Sequence, residues 1–256
     1  MFDNQMNDLF NCANSDMQRT CTSKLLLKDQ ERVFRASICI CCLPFISDYL
    51  EVVQYLHPQE LRYFETLTFE KRKRSYLLGR YSAKHALSIL TGETNLWDVH
   101  IKQGIFNHPI VINKKNQNIQ VSISHCDNIG AAVAFPESLP MGIDIEQIDF
   151  NKNNLLELPI TEKEKELIKT LPFSNSIMLI VLWTAKEALS KILKTGMATP
   201  FQVYEINQLK IKHSYIVSYF KQFIQYNSIS FILGCYVCTI VYPRSTEISF
   251  NGNVSI

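Results

Sequence analysis

From Val33 to Phe45 the chain reads VFRASICICCLPF, an apolar run of strand length that predicts buried β-structure. His57-Pro58 then opens a charged stretch with helical character, since proline suits a first helical turn. From about Phe69 to Thr91 the residues Tyr76, Leu77, Ala83, Leu87 and Leu90 recur near helical spacing, and Gly92 marks the stop. The pattern predicts a first long helix with Arg80 and Lys84, four apart, neighbours on its polar face. Beyond Gly92 the runs shorten: IKQGIF, IVINKK, the alternating Val121-Ser-Ile-Ser-His125 and Ile129-Gly-Ala-Ala-Val-Ala-Phe135. Separated by Asn, Asp and Gly, they predict antiparallel strands.

From Met141 the order of elements starts again. A strand (MGIDIE) leads to a charged helix at about 161–170, a longer helix at about 175–194, and strands near 214–220, 228–233 and 235–242. No sequence repeat accompanies this repeated order. The predicted class is α+β, in two similar halves joined near Leu139, each a small antiparallel sheet packed on a long helix. The first half is expected over 33–138, and the second over 139–256 with the C-terminal tail. Residues 1–32 are rich in Asn, Asp, Gln and Ser, which predicts a loosely ordered extension.

Composition narrows the partners. Lys and Arg number 26 against 24 Asp and Glu, a formal charge of +2, so charge gives no case for nucleic acid or a membrane surface. No apolar run approaches the ~18–20 residues of a membrane span, and MFDNQMNDLF lacks the pattern of a secretory leader. A cytoplasmic monomer is the expectation. The cysteines at 12, 21, 39, 41, 42, 126, 235 and 238 lack metal-finger spacing and read as small buried hydrophobes.

Three stretches can carry chemistry. In the strand MGIDIE, Asp144 and Glu146 are two apart and share a face. Two close carboxylates repel unless a proton or cation is shared, and oxygen-only ligands favour Mg²⁺ with a phosphorylated substrate; alone, the pair also fits a solvated strand end. In Trp183-Thr-Ala-Lys-Glu-Ala-Leu-Ser-Lys191, Glu187 and Lys191 are four apart on the long helix, at the edge of the stripe Ile177, Ile180, Val181, Thr184, Ala188 and Ile192. That pair equally suits an ordinary surface helix, and Trp183 reads as a packing anchor. In Ser122-Ile-Ser124-His125 the histidine ends a strand, where it is structural or, with a phosphate as partner, a binding group.

Taken in order, VSISH, MGIDIE and WTAKEALSK make the sequence resemble the surfactin-type 4′-phosphopantetheinyl transferases, and LLGRYSAKHAL resembles the helix of that family's first half. The resemblance implies transfer of phosphopantetheine from coenzyme A to a serine of an apo acyl or peptidyl carrier protein, with Mg²⁺ and the coenzyme A pyrophosphate between two pseudosymmetric halves. It implies Asp144, Glu146 and Glu187 as metal ligands. It makes Lys191 the residue that contacts the phosphates and the leaving group, and Glu187 a base for the serine. Ser124 and His125 match the nucleotide-contacting pair, Lys84 a basic position, and Arg74 and Arg80 plausible helpers. Where members of the family carry Gly-Lys-Pro, this chain has Asn107-His108-Pro109, so His108 would replace the lysine only in part.

Two other readings stay open at this level. Paired acids followed by Glu-x-x-x-Lys also suit a metal-dependent phosphodiesterase or nuclease, which would call for a broad basic surface. A coenzyme A or carrier-binding module without catalysis would be expected to lack a ligand or the lysine.

Overall fold

The computed structural model describes residues 19–105, 108–112, 118–149, 159–212, 214–250 and 254–255. In chain order the elements are β1 (Arg19–Lys28), β2 (Val33–Cys42), α1 (Ile46–Val53), α2 (Pro58–Glu65), α3 (Glu70–Thr91), β3 (His100–Gln103), β4 (Pro109–Ile112), β5 (Ile119–Cys126) and β6 (Ile129–Pro136). There follow β7 (Gly142–Gln147), α4 (Glu162–Lys169), α5 (Asn175–Leu193), β8 (Ile206–Ile211), β9 (Ile216–Phe220), β10 (Tyr226–Leu233), β11 (Tyr236–Pro243), β12 (Glu247–Phe250) and β13 (Val254–Ser255). The fold is α+β with antiparallel sheets, and no described helix is long and apolar enough to cross a membrane.

The chain divides into two compact units, Met1–Pro140 with Thr246–Ile256, and Met141–Ser245. The first holds a six-stranded sheet in the order β13-β12-β1-β2-β6-β5. Leu77, Leu78, Ala83, Ala86 and Leu87 of α3 are buried in its core. The second holds a five-stranded sheet, β7-β11-β10-β9-β8, with α5 packed on it through Met178, Val181, Ala185 and Leu189.

Two expectations are corrected here. Residues 19–28, placed in a loose extension, form β1, paired along its length with β2 and over Leu25–Lys28 with β12. Its polar residues misled because Leu25 and Leu27 are buried between those neighbours. The tail after Ser245, assigned to the second half, returns to the first: Leu25 pairs with Phe250 and Leu27 with Ile248. Residues 1–18 with Cys12, residue Asn107, and the part of the expected strand beyond Ile112 lie outside the described residues. No disulfide joins the described cysteines; Cys39, Cys41, Cys42 and Cys238 are buried as expected, Cys21 and Cys126 only in part, and Cys235, in the turn between β10 and β11, is exposed.

The two units share a series of local features. The hairpin β5–β6 turns at Asp127 (φ 50°) and the hairpin β10–β11 at Gly234 (φ 61°), the positive φ that two-residue hairpin turns demand. Counting strand pairs outward from those turns matches β2 with β7, so that Ser37-Ile-Cys-Ile-Cys41 corresponds to Gly142-Ile-Asp-Ile-Glu146. Helices α3 and α5 then align as Tyr81-Ser-Ala-Lys-His-Ala-Leu-Ser88 against Trp183-Thr-Ala-Lys-Glu-Ala-Leu-Ser190. Ser82 bonds back to the Leu78 carbonyl and Thr184 to that of Ile180, both at 2.9 Å. Both helices end in a left-handed cap, Gly92 at φ 72° and Lys194 at φ 56°.

Each copy also contains the same buried ion pair. Glu60 at the third position of α2 accepts the His57 N–H at 2.9 Å, closing the N-terminal turn, and its other oxygen accepts the Ile101 N–H at 2.9 Å. Glu164 of α4 does the same for Thr161 and Ile206, each at 2.8 Å. Lys84 meets Glu60 at 2.8 Å and Lys186 meets Glu164 at 2.7 Å, with all four side chains buried. One carboxylate thus joins a helix start, a long helix and the following strand.

Candidate active site

The acids gather in the second unit where β7 crosses α5. Gly142 leaves no side chain between strand and helix, so β7 lies against the α5 backbone at Ala188. Two residues on, Asp144 is buried, and Lys191 donates to its Oδ1 at 2.8 Å and to the Ile143 carbonyl at 2.9 Å. Glu187, one turn before Lys191, faces the same place. Burial pushes its carboxyl above the usual range, Lys191 opposes the rise, and the negative charge of Asp144 adds to it. Its Oε2 is buried with no hydrogen-bond partner, an arrangement that calls for a proton or a cation.

Asp144, Glu187 and Lys191 therefore come together within the second unit. Glu146 is half-buried, on the same strand face two residues further on, a step of ~6.6 Å along a strand. Among the described residues no three His, Cys, Asp or Glu side chains are gathered into a metal-holding group. The cation beside Asp144 is the Lys191 ammonium. Trp183 packs on Phe201 with ring centroids 4.9 Å apart, as an anchor of the helix.

The other expected contacts belong to the first unit. Lys84 is not available to a phosphate, which corrects the sequence-based expectation. Its three N–H groups go to Glu60 at 2.8 Å, to the Leu96 carbonyl at 3.0 Å and to the Val99 carbonyl. An ammonium has three donors, and all are used. Arg80 is largely buried beside the same carboxylate, Nε 3.7 Å from Glu60, with its guanidinium 4.8 Å from the Tyr76 ring centre. Arg74 lies over Tyr49 at 5.6 Å. His108 meets the Ile105 carbonyl at 2.6 Å, close over Gly104. Ser124 is buried and His125 exposed near the end of β5.

Sequence reading missed Glu60 and Glu164, the carboxylates that hold the two lysines. The signal was present as a Lys at the same place in both copies of the helix, YSAKHALS and WTAKEALS.

The statistical profile of the 4′-phosphopantetheinyl transferase superfamily matches residues 140–241, the stretch that contains this site. A holo-(acyl-carrier-protein) synthase of Mycoplasma mycoides subsp. mycoides SC is 30% identical over 88 residues, which cover 34% of this chain and 78% of the relative. The chain belongs to the 4′-phosphopantetheinyl transferase superfamily. A crystal structure of a holo-(acyl-carrier-protein) synthase from Bacillus anthracis str. Ames, in complex with CoA (3′,5′-ADP), is similar over 45% of this chain and 97% of its own. Its identity is 19% and its TM-score 0.35.

Proposed function

We propose that this protein transfers the 4′-phosphopantetheine group of coenzyme A to the serine hydroxyl of an apo carrier protein, with Mg²⁺ as cofactor. The observation that carries the reading is the convergence of Glu187 and Lys191 on Asp144 within the stretch that matches the superfamily. The unpartnered Glu187 oxygen beside a second carboxylate suits a hard divalent cation, and Asp144, Glu187 and Glu146 would hold it. When bound, Mg²⁺ supplies charge neutralisation to pyrophosphate oxygens.

The protein's own groups divide the remaining work. Glu187 accepts the proton as the serine oxygen forms its bond to phosphorus. The pyrophosphate P–O bond breaks, and the Lys191 ammonium offsets the charge on departing 3′,5′-adenosine diphosphate. In the first unit, Ser124, His125, Arg74 and His108 remain candidates for the nucleotide end of coenzyme A. The surfactin-type reading is supported by the duplicated unit: the Mycoplasma relative fits within about one unit, whereas this chain carries two.

The test is incubation with coenzyme A, Mg²⁺ and a panel of apo carrier domains, read by intact mass. The expected result is one phosphopantetheine added at the carrier serine and none on a Ser→Ala carrier. Coenzyme A hydrolysis at an equal rate without any carrier would instead mark a phosphodiesterase and overturn the reading.

A further inference from the structure

Lys191 stands where a cation belongs. Asp144 is a buried carboxylate, and such a group is costly unless a positive charge lies against it. The Lys191 ammonium supplies that charge at 2.8 Å while keeping a second bond to the Ile143 carbonyl. Beside them the buried Glu187 Oε2 has no hydrogen bond, so the lysine compensates one acid of the pair and leaves capacity for more positive charge.

The internal duplication supplies an independent argument. The positions that correspond to Asp144, Glu146, Glu187 and Lys191 are Cys39, Cys41, His85 and Ile89 in the first unit. The acids and this lysine are absent there together, although α3 packs on its sheet as α5 does. Lys84 and Lys186, which hold the architecture, are kept in both copies. Lys191 therefore goes with the acids and not with the fold.

We infer that Lys191 is a displaceable counter-ion: it holds Asp144 in the metal-free protein, and a divalent cation must release it in order to bind there. The inference rests on the transferase reading and its metal ligands. The ammonium holds Oδ1 at 2.8 Å, and a cation ~2.1 Å from either oxygen of this carboxylate would stand within a few ångströms of it, crowding two like charges together. The exchange is purely ionic: the Asp144–ammonium contact breaks as the Asp144–metal contact forms. Once released, the ammonium is available to an anionic substrate, so metal and phosphate binding favour each other.

The experiment uses Mn²⁺ alone with the full chain, free ion being counted by electron paramagnetic resonance, for wild type and for Lys191→Met, Lys191→Arg, Lys194→Gly and Asp144→Asn. Lys191→Met should bind about fivefold more tightly than wild type. Lys191→Arg should not gain, and Lys194→Gly, which removes an equal charge three residues away, should match wild type. Lysine-ammonium NMR of the wild type should show a protected Lys191 signal that is lost as Mg²⁺ saturates the site. If Asp144→Asn abolishes binding while Lys191→Met gains nothing and the signal does not move, the counter-ion role is overturned and the metal site stands. If wild type and Asp144→Asn bind alike, or neither binds, the metal assignment fails and the inference with it. Should Lys191→Met fail to fold, the wild-type NMR titration decides.

Discussion

Gly142 and Ala188 meet backbone to backbone: a Cβ on Gly142 would stand 2.1 Å from the Ala188 carbonyl oxygen and 2.9 Å from its carbon. In the first unit the corresponding Ser37 spans a wider gap and donates its hydroxyl to the Ala86 carbonyl at 2.6 Å. Neither backbone atom in the second unit can turn aside, so Gly142→Ala must push β7 away from α5. A cost of about 1–3 kcal/mol is expected, as for other overpacked contacts, with Asp144 carried away from Glu187 and Lys191. Denaturant unfolding measures it; a loss below about 0.5 kcal/mol would mean that the strand and helix separate freely.

Lys194 caps α5 at φ 56° where Gly92 caps α3 at φ 72°. A side chain in this conformation is strained and glycine is not. Lys194→Gly should therefore stabilise the protein by about 0.5–1 kcal/mol, and Gly92→Lys should destabilise it similarly. Opposite shifts in denaturation midpoint at constant slope would confirm the pair; equal signs would refute it.

Among the described residues, Lys84 and Lys186 are each the sole ammonium on a buried carboxylate that also closes a helix start. Lys186→Ala should cost about 3–5 kcal/mol, since a buried charge is left uncompensated, and Lys84→Ala less, because Arg80 stays 3.7 Å from Glu60. Replacing Glu60 as well should recover part of the loss in a double-mutant cycle. A Lys84→Ala protein of normal stability, with only the coenzyme A KM raised, would restore Lys84 to the substrate site.

His85 occupies the place of Glu187 in the other copy. Its Nε2 is buried without a partner, and burial holds its pKa below the ordinary 6.5. On acidification through about pH 6.5 the unfolded chain takes up a proton that the folded protein refuses, so stability falls down to the folded pKa and then levels. His85→Gln should flatten unfolding free energy against pH between about pH 7 and pH 5. His100, also held low by burial and then by His57, keeps a residual slope of the same sign. A profile unchanged by His85→Gln would show that the folded protein protonates this ring normally.

Glu187→Gln retains an acceptor oxygen but has no basicity at neutral pH. Turnover in carrier transfer should fall by about a hundredfold to ten-thousandfold, and chelation by EDTA should abolish it in the wild type. Single-turnover rates and calorimetric coenzyme A affinity across a Mg²⁺ titration separate the two roles. If excess Mg²⁺ restores binding without rate, Glu187 is the base; recovery of both together makes it a ligand only.

The elements that could be read from the sequence are those with a strong period and a defined end. Helices α3 and α5 showed apolar residues at helical spacing, and Asp144, Glu187 and Lys191 lay at offsets that fix a shared face. Strand β1 could not be read this way, because RTCTSKLLLK owes its place to β2 and β12 on either side. Helix α1 escaped because Ile46 and Leu50 face outward, so its apolar pattern does not mark a core. Lys84 was misjudged for a related reason. A lysine beside an arginine on a helix looks solvent-facing, and only the folded chain brings Glu60, from the preceding helix, beneath it. The repeated order of elements was legible, but the residue-to-residue correspondence was not, because likeness between the two units is concentrated in a single helix.

The return of β12 to β1 makes the first unit discontinuous, with the whole second unit inserted between its parts. During synthesis, Met141–Ser245 can close its sheet while β1, paired with β2 on one side, still lacks β12 on the other. Leu25 and Leu27, buried in the finished fold, then border an open edge that invites pairing with other chains. A ribosome that stops before Glu247 releases a protein with an intact acid cluster and an unfinished first sheet. Chains that lack β12 are therefore expected to aggregate more readily than chains that carry it.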